Sequence, residues 1–416
     1  MSATPAPTRA EAAALDAADG LASFRDRFLL DDGGPIYLDG HSLGRLPRAT
    51  IERIGRTVVD EWGRGLVRSW GSEWIDLPRT VGDRLAATVL GARSGEVLVA
   101  DSTSVNLYKL ARAALDADPS GRRVIVTDRA NFPTDRYILE GLGEVRFVDD
   151  DPDASAIASA TSAGDVALVS LSLVAYRSGA LLDLTGITAI ARAAGAMTLW
   201  DLSHAAGAVP IDLEGAGVDL AVGCTYKYLN AGPGAPAFLY VRQDQQGRLV
   251  QPIRGWFGAA AQFAMGPVYE PADGIDRFAV GTPPVLGLVA VDEGVGVIAE
   301  AGIEALRRKS LALTDLVITL ADQHLAPLGF DVGTPRAHHQ RGSHVALRHP
   351  QAWRLCRALI EDLGVVPDFR EPDVIRFGLT AVNTRFVDAW DAVDRLRRAA
   401  DERAFERFPV ERTRVT

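Results

Sequence analysis

The chain has 416 residues, a formal net charge of −10 and a hydrophobic content of 47%. Its acidity argues against a nucleic-acid partner, and its longest uncharged apolar stretch, 166–176, is too short to span a bilayer. Two cysteines make no disulfide framework and the N-terminus has no secretory apolar region, so we expect a soluble cytoplasmic protein without a membrane partner.

Three regions follow one another along the chain. Residues 1–60 contain an Ala- and Pro-rich arm and the segment IYLDGHSLGRLP, predicted to pack with a small domain. Residues 61–290 are predicted to form a large α/β domain. Residues 291–416 show amphipathic helices and one strand at 374–380, which predicts a smaller α+β C-terminal domain.

The large domain is marked by apolar, β-branched runs that alternate with helical stretches. Runs that are apolar throughout indicate strands covered on both faces, as in a mixed, mostly parallel sheet flanked by helices. The runs lie at 96–101, 123–128, 144–149, 165–174, 196–204, 218–225 and 237–242.

Lys227 stands alone between two runs that resemble core, and Asp201 ends the preceding apolar run. A lysine and a carboxylate at neighbouring strand ends suit a pyridoxal phosphate site, where the amine bonds the aldehyde and the carboxylate holds the ring nitrogen protonated. A buried ion pair between the two side chains is the alternative, and spacing alone leaves both open.

Two further segments could serve the same site. Ser102, Thr103 and Ser104 precede an amphipathic helix, where hydroxyls and free N–H groups bind anions, although a plain N-cap would have the same sequence. Phe132 and Asp135 follow a strand in NFPTD, where the ring could stack on a heterocycle or simply pack in a turn. The chain lacks GxGxxG and P-loop motifs, which disfavours a dinucleotide or nucleotide site.

The ordered motifs resemble those of the kynureninase family from about residue 25 to 410. They are IYLDGHSLGRLP, GLVRSWGSEWIDLP, STSVNLYKL, NFPTD, DLSHAAGAVPIDL, DLAVGCTYKYLNAGPGAPAFLYV, PIRGWFG, FAVGTPP and VIRFGLTAVNTRFVD. The resemblance implies a pyridoxal 5'-phosphate enzyme of fold type I. Its reaction would be hydrolysis of L-kynurenine, and of 3-hydroxy-L-kynurenine, to anthranilate or 3-hydroxyanthranilate and L-alanine, in tryptophan catabolism and NAD biosynthesis. The family also implies a homodimer with shared active sites.

The resemblance assigns roles position by position. Lys227 would be the Schiff-base lysine and would move the substrate's Cα proton, Asp201 would pair with the pyridinium nitrogen, and Tyr226 would help to hold the cofactor's phosphate. Tyr226 is also our candidate for proton transfer near the γ-carbonyl. Trp256 and Thr282 would reach the cofactor from the partner subunit. The other implied cofactor contacts are Thr103, Ser104, Phe132, Pro133, Thr134, Asp135, Ser172 and His204.

Substrate contacts are implied for three residues. Arg376 in VIRFGLT would grip the α-carboxylate, since a planar guanidinium suits a carboxylate. Ser42 would touch the substrate. His41 departs from the family pattern, where asparagine is expected, so it would either contact substrate or shape the turn. Trp70 or Trp74 could stack on the substrate's aryl ring, with core or dimer packing as the alternative.

Other functions are weighed against this one. A cysteine desulfurase or another class V aminotransferase-like enzyme would share the fold, but neither Cys224 nor Cys356 lies on a flexible Gly/Ser loop. A non-enzymatic scaffold would not need the Lys227–Asp201 pair. The segment HHQRGSH has no common zinc spacing, so we expect no metal and interpret its histidines as part of a surface loop. They are His338, His339 and His344.

Overall fold

The structure, a computed structural model, describes residues 6–30 and 33–412; the ends of the predicted N-terminal arm and C-terminal domain lie outside these ranges. The α-helices are α1 (Arg9–Ala17), α2 (Arg48–Arg56), α3 (Leu77–Leu85), α4 (Thr103–Asp116), α5 (Pro133–Glu140), α6 (Ala154–Thr161), α7 (Leu184–Ala193), α8 (Gln243–Gln246), α9 (Val285–Ala301), α10 (Ile303–Leu320), α11 (Ala352–Glu361) and α12 (Phe386–Asp401). The strands are β1 (Ile36–Tyr37), β2 (Val97–Val99), β3 (Val124–Asp128), β4 (Glu144–Val148), β5 (Val166–Ser172), β6 (Met197–Asp201), β7 (Leu220–Gly223), β8 (Phe238–Val241), β9 (Asp331–Val332), β10 (His344–Arg348), β11 (Val365–Val366), β12 (Asp368–Arg370) and β13 (Val374–Gly378).

The large sheet has seven strands in the order β2-β8-β7-β6-β5-β3-β4. Strand β8 runs antiparallel to both β2 and β7, while the remaining neighbours pair in parallel. Each of the seven apolar runs forms one of these strands. The prediction of a mixed, mostly parallel sheet is therefore confirmed.

Apolar side chains fill both faces of this sheet. On β6, Leu199 packs into one core cluster and Trp200 into the cluster on the opposite face, as successive strand residues must. Helix α7 is capped by Asp183, which accepts a hydrogen bond from the backbone N–H of Gly186 at 2.9 Å. Because both faces are covered, polar groups of the strands are presented at the strand ends.

A second, smaller sheet lies in the C-terminal part, with the order β12-β13-β10-β9 and all pairs antiparallel. Its core packs against α10, α11 and α12, and it includes Ala12 and Leu38 from the N-terminal segment. Strand β1 also pairs with β11 in parallel. The predicted boundary at residue 290 falls inside α9, and the division into domains stays a prediction.

Of the helices that the structure describes, none combines the length and the apolar character needed to cross a membrane.

Candidate active site

A cavity of about 460 Å³ opens where β5, β6 and β7 end. Strands that run in parallel deliver the side chains after their carboxyl ends to one edge of the sheet, which is where ligands bind in such folds. The cavity is lined by predicted site residues and by neighbours of them. The predicted ones are Thr103, Ser104, Phe132, Thr134, Asp135, Ser172, Asp201, His204, Tyr226 and Lys227.

Lys227 extends into this cavity just after β7. Its Nζ lies 3.3 Å from Nδ1 of His204, 5.9 Å from the centre of the Phe132 ring and 6.0 Å from that of Tyr226. Burial, together with the charge of Lys227, holds the pKa of His204 well below its usual range, so the ring is neutral. A neutral imidazole and two aromatic faces are suitable neighbours for an amine that must change its charge.

Two carboxylates face each other on the other side of the cavity. Asp201 ends β6 and accepts a hydrogen bond from the backbone N–H of Ser203 at 2.7 Å. Asp135 lies in the first turn of α5, and burial together with the nearby Asp201 raises its pKa well above the usual value. Within the described ranges, Oδ2 of Asp135 is buried without a hydrogen-bond partner. Asp135 therefore holds its proton more tightly than an ordinary aspartate does, beside the carboxylate of Asp201.

The N-terminus of α4 forms one wall of the cavity. Ser102 caps the helix by accepting from the N–H of Val105 at 3.3 Å, and Thr103 and Ser104 follow it. The predicted N-cap and the predicted anion-binding position thus coincide. Tyr226 stands across the cavity, and burial raises the pKa of its phenol, which keeps the O–H protonated and able to donate.

Asn131 supports this wall, although sequence reasoning missed it. Its side-chain carbonyl accepts from the Ser172 hydroxyl and from the N–H of Phe132, both at 2.8 Å, while its amide donates to Thr127 Oγ1 at 2.9 Å. One buried amide therefore fixes both Ser172 and Phe132. In the sequence Asn131 looks like an ordinary turn residue after a strand, and the contact to Ser172 spans 41 positions.

A second polar group surrounds Arg376, which is fully buried on β13. Its guanidinium donates to both carboxylate oxygens of Asp368, at 2.8 and 2.6 Å, and to the carbonyl of Tyr176. Ser42 Oγ lies 3.5 Å from the guanidinium and 3.1 Å from Asp368. The predicted substrate contacts Ser42 and Arg376 are therefore brought together by Asp368, which sequence reasoning missed.

The loop that carries Ser42 is hydrogen-bonded to the segment that carries Lys227. The N–H of Gly44 donates to the carbonyl of Tyr226 at 2.7 Å. A Cβ on Gly44 would lie 2.3 Å from the carbonyl oxygen of Lys227, so only glycine permits this approach. The N-terminal segment is thereby part of the site.

Three buried histidines, His41, His204 and His344, lie between the residues around Lys227 and those around Arg376. His41 stacks on His344 with ring centres 5.2 Å apart and lies 6.3 Å from His204. Burial lowers the pKa of all three rings. In the part of the chain that the structure describes, both ring nitrogens of His41 and of His344 have no hydrogen-bond partner. The interpretation of His344 as a surface-loop residue was wrong, because it begins the buried strand β10.

Asp39 lies beside this cluster, with Oδ1 3.4 Å from Nδ1 of His41. Burial and the neighbouring Asp368 raise the pKa of Asp39 to about 6. His41 fits closely against Gly378, where a Cβ would lie 2.0 Å from its Nδ1. His41 thus lies between His204, which contacts Lys227, and the residues around Arg376.

Eight candidates do not line the cavity within the described residues. Three of them, His41, Ser42 and Arg376, belong to the neighbouring clusters described above, and five others lie elsewhere. Pro133 is the first residue of α5, beside the cavity residues of that helix. Trp256 packs against Phe257 and Phe263 instead, and Thr282 is exposed. The rings of Trp70 and Trp74 contact each other edge to face at 5.4 Å, and Trp74 donates to Glu61.

Solved structures share this architecture. A cysteine desulfurase from Thermococcus onnurineus superposes with a TM-score of 0.74 at 17% identity, covering 95% of this chain and 98% of that one. The cystine C–S lyase C-DES, solved with its product cysteine persulfide, gives 0.71 at 18% identity, with coverages of 87% and 97%. These superpositions show that the chain has the fold of these two enzymes.

Sequence comparison gives the particular family. Residues 306–396 match the family described as Kynureninase C-terminal domain. A kynureninase from Burkholderia pseudomallei is 47% identical over 98% of this chain and 99% of its own length. One from Pseudomonas fluorescens is 46% identical, with coverages of 96% and 97%. The chain belongs to the kynureninase family.

Proposed function

We propose that the chain hydrolyses the Cβ–Cγ bond of L-kynurenine, and that of 3-hydroxy-L-kynurenine, to anthranilate or its 3-hydroxy form and L-alanine. Its cofactor is pyridoxal 5'-phosphate, and its place is in tryptophan catabolism. Membership of the kynureninase family carries the substrate assignment. The observation that carries the chemistry is the convergence of Lys227 and Asp201 on one cavity.

The residues present fit this cofactor. Oδ2 of Asp135 lacks a partner among the described residues, and Asp201 faces it, so a protonated ring nitrogen would satisfy both carboxylates. Lys227 would hold the aldehyde carbon, and Phe132 would cover the ring. The N-terminus of α4 with Thr103 and Ser104 would take the phosphate. When bound, pyridoxal phosphate supplies a ring that stabilises negative charge on the substrate's carbon atoms.

Proton transfer falls to two residues in this proposal. Lys227 removes the proton from the substrate's Cα, and the neutral ring of His204 at 3.3 Å stabilises the ammonium that results. Tyr226 stays protonated because burial raises its pKa, so it can donate at the γ-carbonyl oxygen or at the departing Cβ. Both side chains line the same cavity, which places them on one substrate.

Arg376 and Ser42 orient the substrate. The guanidinium would bind the α-carboxylate with the N–H groups that Asp368 and the carbonyl of Tyr176 leave free. Asp368 fixes the plane of the guanidinium, so the arginine is held ready before the substrate arrives. His41 lies between this group and His204, and we assign it to the substrate-binding region on that placement.

We also propose a cytoplasmic homodimer with shared sites. Trp256 and Thr282 stand away from the cavity of their own chain, and Thr282 is exposed, as expected for residues that serve a partner. Large apolar side chains lie on the surface, which suits an interface between subunits. They are Val59, Trp62, Leu66, Val67, Phe263, Met265 and Val268. Both cysteines are free thiols, as in a reducing compartment.

The sulfur chemistry of a cysteine desulfurase is disfavoured by the placement of the two thiols. Cys224 and Cys356 are both buried, and burial raises the pKa of each, which suppresses the nucleophilic thiolate. Cys224 lies directly after β7 and Cys356 lies inside α11. Neither thiol can move to a substrate without disrupting its core.

The test is direct. Purified chain is mixed with L-kynurenine and the fluorescence of anthranilate is followed, with alanine quantified in parallel. We expect equimolar products from the wild type and a loss of nearly all turnover in Lys227→Ala. Borohydride reduction followed by peptide mapping should leave the cofactor on Lys227. Absence of anthranilate from cofactor-loaded protein would refute the substrate, and an unmodified Lys227 would refute the site.

A further inference from the structure

Lys109 is a fully buried lysine that the proposed chemistry does not use. It lies in α4, and its Nζ donates to Oδ2 of Asp101 at 2.7 Å and to the carbonyl oxygen of Phe278 at 2.8 Å. Burial lowers the pKa of Lys109, while the charge of Asp101 opposes that shift. Lysine is almost never buried completely without a partner, so this position needs an explanation.

Asp101 belongs to the cavity wall. It immediately precedes the cap residue Ser102, adopts a positive φ of 52°, and its carbonyl accepts from the N–H of Ala237 at 2.9 Å. It lines the cavity together with Thr103 and Ser104, at the helix N-terminus that is assigned to the phosphate. A left-handed backbone at a residue other than glycine is uncommon, so the surrounding contacts must hold it in place.

The charge of Asp101 is unfavourable at this position. A carboxylate in the wall of an anion-binding pocket repels a phosphate, and about a quarter of this side chain is open to solvent. Lys109 meets the carboxylate from inside the protein, where its own charge is shielded from water. The ion pair thereby removes the repulsion without adding an ammonium group to the pocket.

The second hydrogen bond of Lys109 goes to the carbonyl oxygen of Phe278. Phe278 precedes the segment that leads to Pro284, which lines the same cavity. One ammonium therefore connects the turn before α4 with the segment before α9.

We propose that Lys109 is a positioning residue for the phosphate site: through Asp101 it neutralises the negative charge in the cradle at the N-terminus of α4. The inference rests on the proposed function, because it takes the bound anion to be the phosphate of pyridoxal phosphate.

The test measures equilibrium binding to the full-length apoenzyme by absorbance. The two probes are pyridoxal 5'-phosphate and pyridoxal, which lacks the phosphate. Lys109→Met should weaken binding of the phosphorylated probe about tenfold, the scale of one unit-charge interaction near a protein surface. Pyridoxal binding should stay within about twofold, since no phosphate contact is lost. Adding Asp101→Asn to Lys109→Met should restore most of the lost affinity.

Two further variants keep the test decisive. Lys309→Met makes the same change at another buried lysine, which pairs with Asp19 at 2.7 Å outside the cavity, and it should leave both affinities unchanged. Asp101→Asn alone should bind the phosphorylated probe at least as well as the wild type does. Asp101→Asn therefore tests the role of Lys109 even if Lys109→Met does not fold.

The outcomes separate the two proposals. Unchanged binding by Lys109→Met, an equal loss for both probes, or a tenfold loss in Asp101→Asn would each overturn the role of Lys109 while leaving the proposed function standing. Failure of the wild-type chain to bind pyridoxal phosphate would overturn the cofactor itself, and the role of Lys109 with it.

Discussion

Replacing Arg376 with alanine is expected to abolish recognition of the substrate carboxylate with little damage to the fold. Asp368 keeps two partners in the variant, Arg370 at 2.7 Å and Ser42 at 3.1 Å, so no buried charge is left alone. The lost interaction is a pair of charge-assisted hydrogen bonds from a side chain with no exposed surface. At about 1.5–3 kcal/mol per bond, the loss is about 3–6 kcal/mol, on the order of 10²- to 10⁴-fold in kcat/KM.

The assay follows anthranilate fluorescence over a range of L-kynurenine concentrations. We expect the loss to fall mainly on KM, and Arg376→Lys to recover only part of it because an ammonium lacks the planar fork. The decarboxylated analogue of kynurenine, tested as an inhibitor, should bind wild type and Arg376→Ala equally well. An unchanged KM, or an equal loss of affinity for the analogue, would refute the assignment.

Two other predictions concern stability. Burial and the nearby Asp151 raise the pKa of Asp128 to about 7 from an ordinary 3.8, so the folded chain holds this proton more tightly than the unfolded chain does. The contribution of Asp128 to stability therefore falls as pH rises from about 4 to 7, and Asp128→Asn, compared with the wild type at each pH, should recover up to about 4 kcal/mol at pH 8 and little at pH 4, measured by urea unfolding. A gain that is equal at both pH values would contradict this. Gly378→Ala should cost about 1–3 kcal/mol by forcing its Cβ against His41, whereas Gly20→Ala, with no heavy atom within 4 Å, serves as the control. An equal effect of the two substitutions would argue against the close fit.

The large sheet and its cavity were predictable because their signals are local. Most strands of that sheet are largely apolar runs covered on both faces, whereas the edge strand β4 carries the charged residues Glu144 and Arg146. Lys227 stood out for the same reason, because a single charged residue between two buried apolar runs is not expected to be an ordinary solvent-exposed lysine. The ordered motifs then added the family, which the comparisons confirm.

The contacts that were missed depend on residues far apart in the chain. His344 is flanked by Gln340, Arg341 and Ser343, which looks like a loop, yet it pairs with Gly378 in the small sheet. Only β13 of that sheet was predicted, because its other strands are short or interrupted by polar residues. The burial of Lys109 involves a contact 169 positions away, since its Nζ donates to the carbonyl oxygen of Phe278.

The backbone hydrogen bond between Gly44 and Tyr226 has a consequence for synthesis on the ribosome. The groups that meet in this site come from the beginning, the middle and the end of the chain, with the loop of Ser42 held on one side and Arg376 on the other. Such long-range contacts form late in folding. A nascent chain therefore has no complete active site until strand β13 has emerged from the ribosome. Fragments that end before β13 should have no activity.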